Sequence, residues 1–407
     1  SELPLSTGFE LIERALTLVP SDSHEAGRLQ ARRIMPLRPD YDRAQEAFHH
    51  ALSIARQQQD KALEMQALVA AACVDYHHCR HVQSLERNQQ AIDLAQLVDL
   101  PIEEAHARYD LEHVLYAMGN LEEATRHAEA MLAAAERAHT RVWHCRSMDA
   151  NENVCSAKGD WRSARDFSEQ GLATSPQDPG LLGPRALLEH QLGETDAAEA
   201  YLERLLETLP GGESNLPDAL TSATIPYYVV SAVVISVVAY ITGEMTHFDV
   251  VEGIAQFIFS SPITAPAHSN AARIGLAFIA VQRQDMIAAS ELYDALQPIG
   301  GTMAPQSNCG PGLAGDRVLG LLSQTMGRLD QATVHFEDAL TFCRKAGYRP
   351  ELAWICCDYA DTLLQRGNPG DQERAMSLLE ESLASSTELG MRPLMERVLS
   401  RREILRA

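Results

Sequence analysis

A turn that ends one helix and opens the next recurs along this chain at intervals near forty residues, and it leaves few folds open. It reads Gly119-Asn120, Gly159-Asp160, Gly193-Glu194, Gly243-Glu244, Gly327-Arg328 and Gly367-Asn368. Five residues past the glycine stand Ala124, Ala164, Ala198 and Ala332, and nine past stand Leu202 and Phe336. Weaker copies start at Pro39-Asp40-Tyr41, which gives Ala44, Phe48 and Ala51, and at Gln284-Asp285, which gives Ala289, Tyr293 and Leu296. A fixed period of this kind is the mark of stacked helical hairpins. Glycine takes the positive φ that ends a helix. Alanine lets two helices approach, and the larger residue wedges against the next hairpin.

The pattern predicts an all-α right-handed superhelix, a solenoid of about nine helical hairpins. Residues 1–23 read as a lead-in with one helix over Phe9–Leu18, and 24–208 as the first hairpins. Residues 209–224, with Pro210-Gly211-Gly212 and Pro217, read as a connecting loop, and 225–407 as the remaining hairpins, with Arg392–Leu405 a closing helix that caps the stack. A second break, Ile299–Gly315, reads as a flexible inter-hairpin loop; no Lys-Ser or Lys-Thr follows its glycines, so it is no phosphate loop. Residues 225–241 are rich in Val and Ile, which favours a strand by propensity. Gly243 follows where a hairpin's first helix should end, so the register predicts a buried helix there instead. The run is slightly short for a membrane span, contains Pro226 and lacks flanking Lys or Arg.

A solenoid also removes the difficulty of burying 407 residues around one core. The formal net charge of −22, from 34 basic and 56 acidic residues, argues against nucleic acid or an anionic membrane as a partner. The eight cysteines form no C-x-x-C pair and read as reduced thiols packed in helices. With no basic start or apolar signal core, a cytoplasmic location is expected.

Met326–Leu340 is the clearest repeat string, with Met118–Met131 and Lys158–Leu172 close behind, and these resemble tetratricopeptide repeats. Spacing near forty exceeds the roughly 34 residues usual for that family. Together with Ala346-Gly347-Tyr348-Arg349-Pro350, Leu363-Leu364-Gln365-Arg366-Gly367 and Glu388-Leu389-Gly390-Met391, it is similar to the C-terminal helical arrays of bacterial multidomain regulators, signal-transduction ATPases joined to output domains. The resemblance implies a sensor of an inducer or partner that takes part in transcription regulation. The ATPase motifs are absent from this sequence, so no catalytic residue carries over.

The first helices of stacked hairpins should line a concave surface. On the third hairpin, helical spacing puts His106, Tyr109, His113 and Tyr116 on one face. The same offsets give Arg146, Asp149, Asn153 and Ser156 on the next hairpin, and Gln66, Val69, Cys73 and Tyr76 on the one before. Gln66, Tyr76, His106, Tyr109, His113, Tyr116, Arg146, Asp149 and Asn153 are therefore the expected ligand- or partner-binding residues, forming a polar and aromatic groove. The groove would take a peptide, a protein segment or a small inducer; a constitutive scaffold for multiprotein assembly is the alternative, and a homo-oligomer is compatible with either. Further along, Val230, Val233, Val237, Tyr240, Ala271, Ile274, Phe278 and Val281 make the same face apolar. That face could be closed by tight winding, bind an apolar ligand or bury a partner helix. His77-His78-Cys79-Arg80-His81 does not match separated metal-ligand pairs and reads as a hairpin turn, so no metal and no cofactor are expected. No motif of catalysis is present, and the chain reads as non-catalytic.

Overall fold

The computed structural model describes residues 5–209, 225–304 and 312–406. After a first helix, α1 (Leu5–Leu16), come paired helices: α2 (His24–Ile34) with α3 (Tyr41–Gln57), α4 (Lys61–His77) with α5 (His81–Val98), and α6 (Pro101–Ala117) with α7 (Leu121–Ala138). Next are α8 (Arg141–Lys158) with α9 (Trp161–Thr174), α10 (Pro179–Leu192) with α11 (Thr195–Glu207), and α12 (Ile225–Thr242) with α13 (Phe248–Ser260). The last pairs are α14 (Pro266–Arg283) with α15 (Met286–Leu296), α16 (Gly315–Thr325) with α17 (Leu329–Ala346), and α18 (Arg349–Arg366) with α19 (Asp371–Leu389), before the final helix α20 (Arg392–Arg406). The eighteen helices α2–α19 thus make nine hairpins, and the chain is an α-α superhelix of tetratricopeptide-like repeats.

The repeat positions do what their size allows. Ala44, Ala124, Ala164, Ala198, Ala289 and Ala332 are all fully buried at the point where the two helices of a hairpin meet. The turn glycines carry positive φ, and so do their two replacements, Cys79 at 58° and Gln284 at 53°. The turn geometry therefore survives without glycine, at a cost of about 1–2 kcal/mol per position. The lead-in helix starts earlier than expected and stops at Leu16, because Thr17 and Leu18 bond back to Arg14 and Ala15 in a turn before Pro20.

Helix α12 shows why register outweighs propensity. Val229, Val230, Val233 and Val234 are fully buried among α10, α13 and α14, so packing on all sides offsets the rotamer restriction of a β-branched helix. No helix among the described residues is long and apolar enough to cross a membrane.

The inner face is not an open groove. The superhelix winds tightly enough for its C-terminal half to pack on its N-terminal half. α8 meets α18, α10 meets α20 and α4 meets α14. Trp161 Nε1 donates to the Leu389 carbonyl at 2.8 Å, and Arg392 donates to the carbonyls of Leu192 and Gly193 at 2.9 and 2.8 Å. The face through Val230, Val233, Ala271, Ile274 and Phe278 is buried by the chain itself, which resolves the open alternatives in favour of tight winding. α20 packs on α19 at the end of the array and also lies against α10 and α12.

The glycine-rich segment Ile299–Gly315 also differs from a flexible loop in its described part. Met303-Ala304 (β1) and Leu313-Ala314 (β2) pair antiparallel, and all four residues are buried. The hairpin points inward: a Cβ on Gly312 would stand 2.2 Å from the Tyr116 hydroxyl, so only glycine admits this approach. Residues 305–311 lie outside the described residues, as does the connecting segment expected at 209–224 apart from Leu209.

Candidate ligand-binding site

Tight winding leaves a partly open cavity between the halves, of about 70 Å³. On this scale one water needs roughly 10–15 Å³, so the space holds several waters or one small organic molecule. The N-terminal half supplies His113 and Tyr116 from α6, Asp149, Glu152, Asn153 and Ser156 from α8, Trp161 from α9, and Leu187 and Gln191 from α10. Opposite stand Val237 and Tyr240 from α12, Met303 and Leu313 from the β-hairpin, Arg317 from α16, Tyr348, and Glu351 and Trp354 from α18.

Four of the nine expected site residues, His113, Tyr116, Asp149 and Asn153, line this cavity. Tyr109 and Arg146 support it from behind: the Tyr109 hydroxyl donates to Asp149 Oδ2 at 2.9 Å, and Arg146 lies 3.8 Å from the same carboxylate. Tyr76 is buried, with its ring 6.3 Å from that of His113. His106 is half-buried against Trp143, and Gln66 is exposed beside Arg28, Arg32 and Asp60, away from the cavity. The expected patch is therefore divided by the winding into an inner part and an outer part.

Burial sets the protonation of the acidic wall. Asp149 is pushed up to about 7 by loss of water, with Arg146 and His113 pulling the other way. Glu152, only 1% exposed, is pushed up to about 8 for the same reason. Its one charge-neutral support is Ser156, whose hydroxyl donates to Oε1 at 2.6 Å. For His113 burial opposes the charge, but Glu112, 2.6 Å from Nδ1, outweighs it and raises the imidazole to about 9.

The facing wall is a buried ionic network. Arg317 donates to Asp358 Oδ2 and Glu351 Oε2, each at 2.8 Å. Glu351 Oε1 accepts from the Ala314 backbone at 2.8 Å, which ties β2 to α18. Asp358 also accepts from the Tyr240 hydroxyl at 2.7 Å, and Arg397 donates to that hydroxyl at 2.9 Å. The Arg317 and Arg397 guanidiniums lie over the rings of Trp354 and Tyr240. Burial works against the charge on Arg317, but Glu351 and Asp358 hold it protonated. Tyr240 and Ile241 separate the cavity from a wider cleft of about 560 Å³ bounded by Asp361, Gln365, Arg397 and Arg401.

Arg317, Tyr348, Glu351, Trp354, Trp161 and Glu152 were not among the expected residues. The offset that picks Tyr109 ahead of Gly119 picks Arg317 ahead of Gly327, and the His106 offset picks Trp354 ahead of Gly367. The signal was thus present for two of them. Tyr348, Glu351 and Trp161 sit outside those offsets and reach the cavity only because the array closes.

For metals, the side chains of His77–His81 diverge. His77 Nδ1 donates to the Cys73 carbonyl at 2.7 Å, His78 Nε2 to the Arg38 carbonyl at 2.7 Å, and Cys79 faces Asn270. Among the described residues, Cys73, His106 and Asp110 bring three donor atoms within 4.8 Å of one another. There the Cys73 thiol is pushed up by burial and by Asp110, with which it shares a hydrogen bond.

No family model matches the chain, and no curated protein matches it. Among solved structures it is similar to a Rap protein crystallised with competence and sporulation factor, at 12% identity over 79% of this chain and 76% of that one, with a TM-score of 0.46.

Proposed function

We propose that this chain is the ligand-sensing region of a regulatory protein, without catalysis of its own, and that the cavity between its halves takes a small inducer or the end of a short peptide. The observation that carries the reading is that both halves of the array wall the same cavity. A molecule seated there touches α6, α8 and α10 on one side and α12, α16 and α18 on the other. It can therefore bind the closed winding better than an opened one, and only such a difference in affinity shifts a population. Any attached domain or bound partner then reads the winding. A protein segment laid along an open groove is less favoured, because the inner helices are covered by the chain itself.

The test is a thermal-shift screen of metabolites and short peptides on the purified chain and on Ala157→Phe, which adds bulk to the cavity wall while circular dichroism checks the helices. Compounds that raise the melting temperature of the wild type and not of the variant support the reading. A screen without hits, or hits unaffected by the variant, contradicts it and favours the scaffold alternative.

A further inference from the structure

The charges around the cavity do not cancel in the same way on every side. Arg317 faces two carboxylates, Glu351 and Asp358. His113 faces Glu112, and Asp149 has Arg146 and the Tyr109 hydroxyl. Glu152 has a hydroxyl, Ser156, and among the described residues no adjacent cation. The nearest influence of that sign is Arg185, which is itself engaged by Glu189 at 2.7 Å. A carboxylate in such a place is costly to ionise unless an opposite charge arrives with it. The aromatic part of the wall lies around the same space. Tyr116 packs on Tyr348 with ring centroids 5.2 Å apart, and Trp161 is fixed by its bond to Leu389. Arg317 and Arg397 already occupy the Trp354 and Tyr240 rings, whereas no cation lies over Trp161 or Tyr116 among the described residues. A carboxylate lacking its counter-charge beside aromatic rings that carry no cation is the chemistry that binds an ammonium group.

We propose that the cavity recognises a small organic cation, an amine carried on an apolar or aromatic body, with the Glu152 carboxylate as its anchor and Trp161 and Tyr116 as its aromatic wall. The inference rests on the cavity being a ligand site. An amine enters with its proton, and Glu152 gives up its own proton to solvent as the pair forms. Asp149 and Arg185 beside it, and His113, Glu351 and Arg317 around the cavity, set the field in which that exchange occurs. Binding should therefore release a proton below pH 8, and affinity should rise by about twentyfold between pH 6.5 and 8.5 as the cost of ionising the free carboxyl disappears.

The experiment is calorimetric titration of the full chain with benzylamine, and with benzyl alcohol and benzoate as neutral and anionic counterparts, on the wild type and on Glu152→Gln. The expected result is saturable binding of benzylamine alone, tightening with pH, and weakened at least about tenfold by Glu152→Gln. The wild-type comparison needs no variant, so the outcome stands even if Glu152→Gln folds poorly. Binding of benzyl alcohol or benzoate in place of benzylamine overturns the cation while leaving the cavity as a ligand site. Benzylamine binding that is equal in Glu152→Gln and independent of pH overturns the anchor. Silence of all three probes also overturns the proposal, and the metabolite screen then decides the fate of the cavity itself.

Discussion

The hydroxyl of Tyr348 donates a hydrogen bond to the backbone carbonyl of Tyr116 at 2.5 Å, across 232 positions of sequence. Both groups are buried, and the two rings pack against each other. The bond joins the turn before α18 to the end of α6, so it holds the cavity wall and the closed winding together. Tyr348→Phe removes this buried donor and leaves the carbonyl to its local bond from the Gly119 amide, at 3.1 Å. It should lower stability by about 1 kcal/mol in urea unfolding and enlarge the radius of gyration in small-angle scattering.

Gly159 and Gly243 hold the same turn position with the same φ of 80°, but their surroundings differ. A Cβ at Gly243 meets nothing within 4 Å, whereas one at Gly159 would stand 2.5 Å from Leu389. Gly243→Ala should cost only the left-handed backbone strain, about 1 kcal/mol. Gly159→Ala should cost more, because the Leu389 side chain must also give way. Equal urea midpoints for the two variants would mean that Leu389 moves freely off the Gly159 turn in solution.

Arg317 sits at 2% side-chain exposure between Glu351 and Asp358. Arg317→Met strands the buried Glu351 carboxylate and leaves Asp358 to the Tyr240 hydroxyl and Arg397, and should destabilise the fold by about 3–5 kcal/mol. Adding Glu351→Gln to that variant should recover part of the loss, since one uncompensated charge is removed. A double-mutant cycle in urea measures the recovery, and additive losses would show that the pair is not coupled.

The pH dependence has a definite sign. Glu152 holds its proton in the fold up to about pH 8, but gives it up near the ordinary carboxyl value of 4.5 when unfolded. Between these values the folded state binds more protons than the unfolded one, so stability falls as pH rises through the window. Glu152→Gln removes this contribution. The melting temperature of the wild type relative to that variant should decline from pH 5 to pH 8 and level off above it. A difference that is constant with pH would show that Glu152 is ionised in the fold.

The repeat was legible because its residues act locally. Turn glycines, the alanine of each helix crossing and the buried helix at 225–242 all follow from spacing and size. The closure was not, because it depends on contacts such as Trp161 with Leu389, which are 228 positions apart and carry no local pattern. The lining of the candidate site was half legible for the same reason. His113 and Asp149 were found by helical offset, while Tyr348 and Glu351 come from hairpins that meet them only after winding. Gln66 obeys the offset yet ends up outside, since the second hairpin lies beyond the space between the halves.

The most direct measurement is a crystal structure of the chain purified from its own cells, inspected for density between α8 and α18. The account predicts a bound small molecule against Glu152, Trp161 and Tyr116, with the Tyr348–Tyr116 bond intact. A cavity holding only ordered water, with a partner seated on the outer surface, would contradict it.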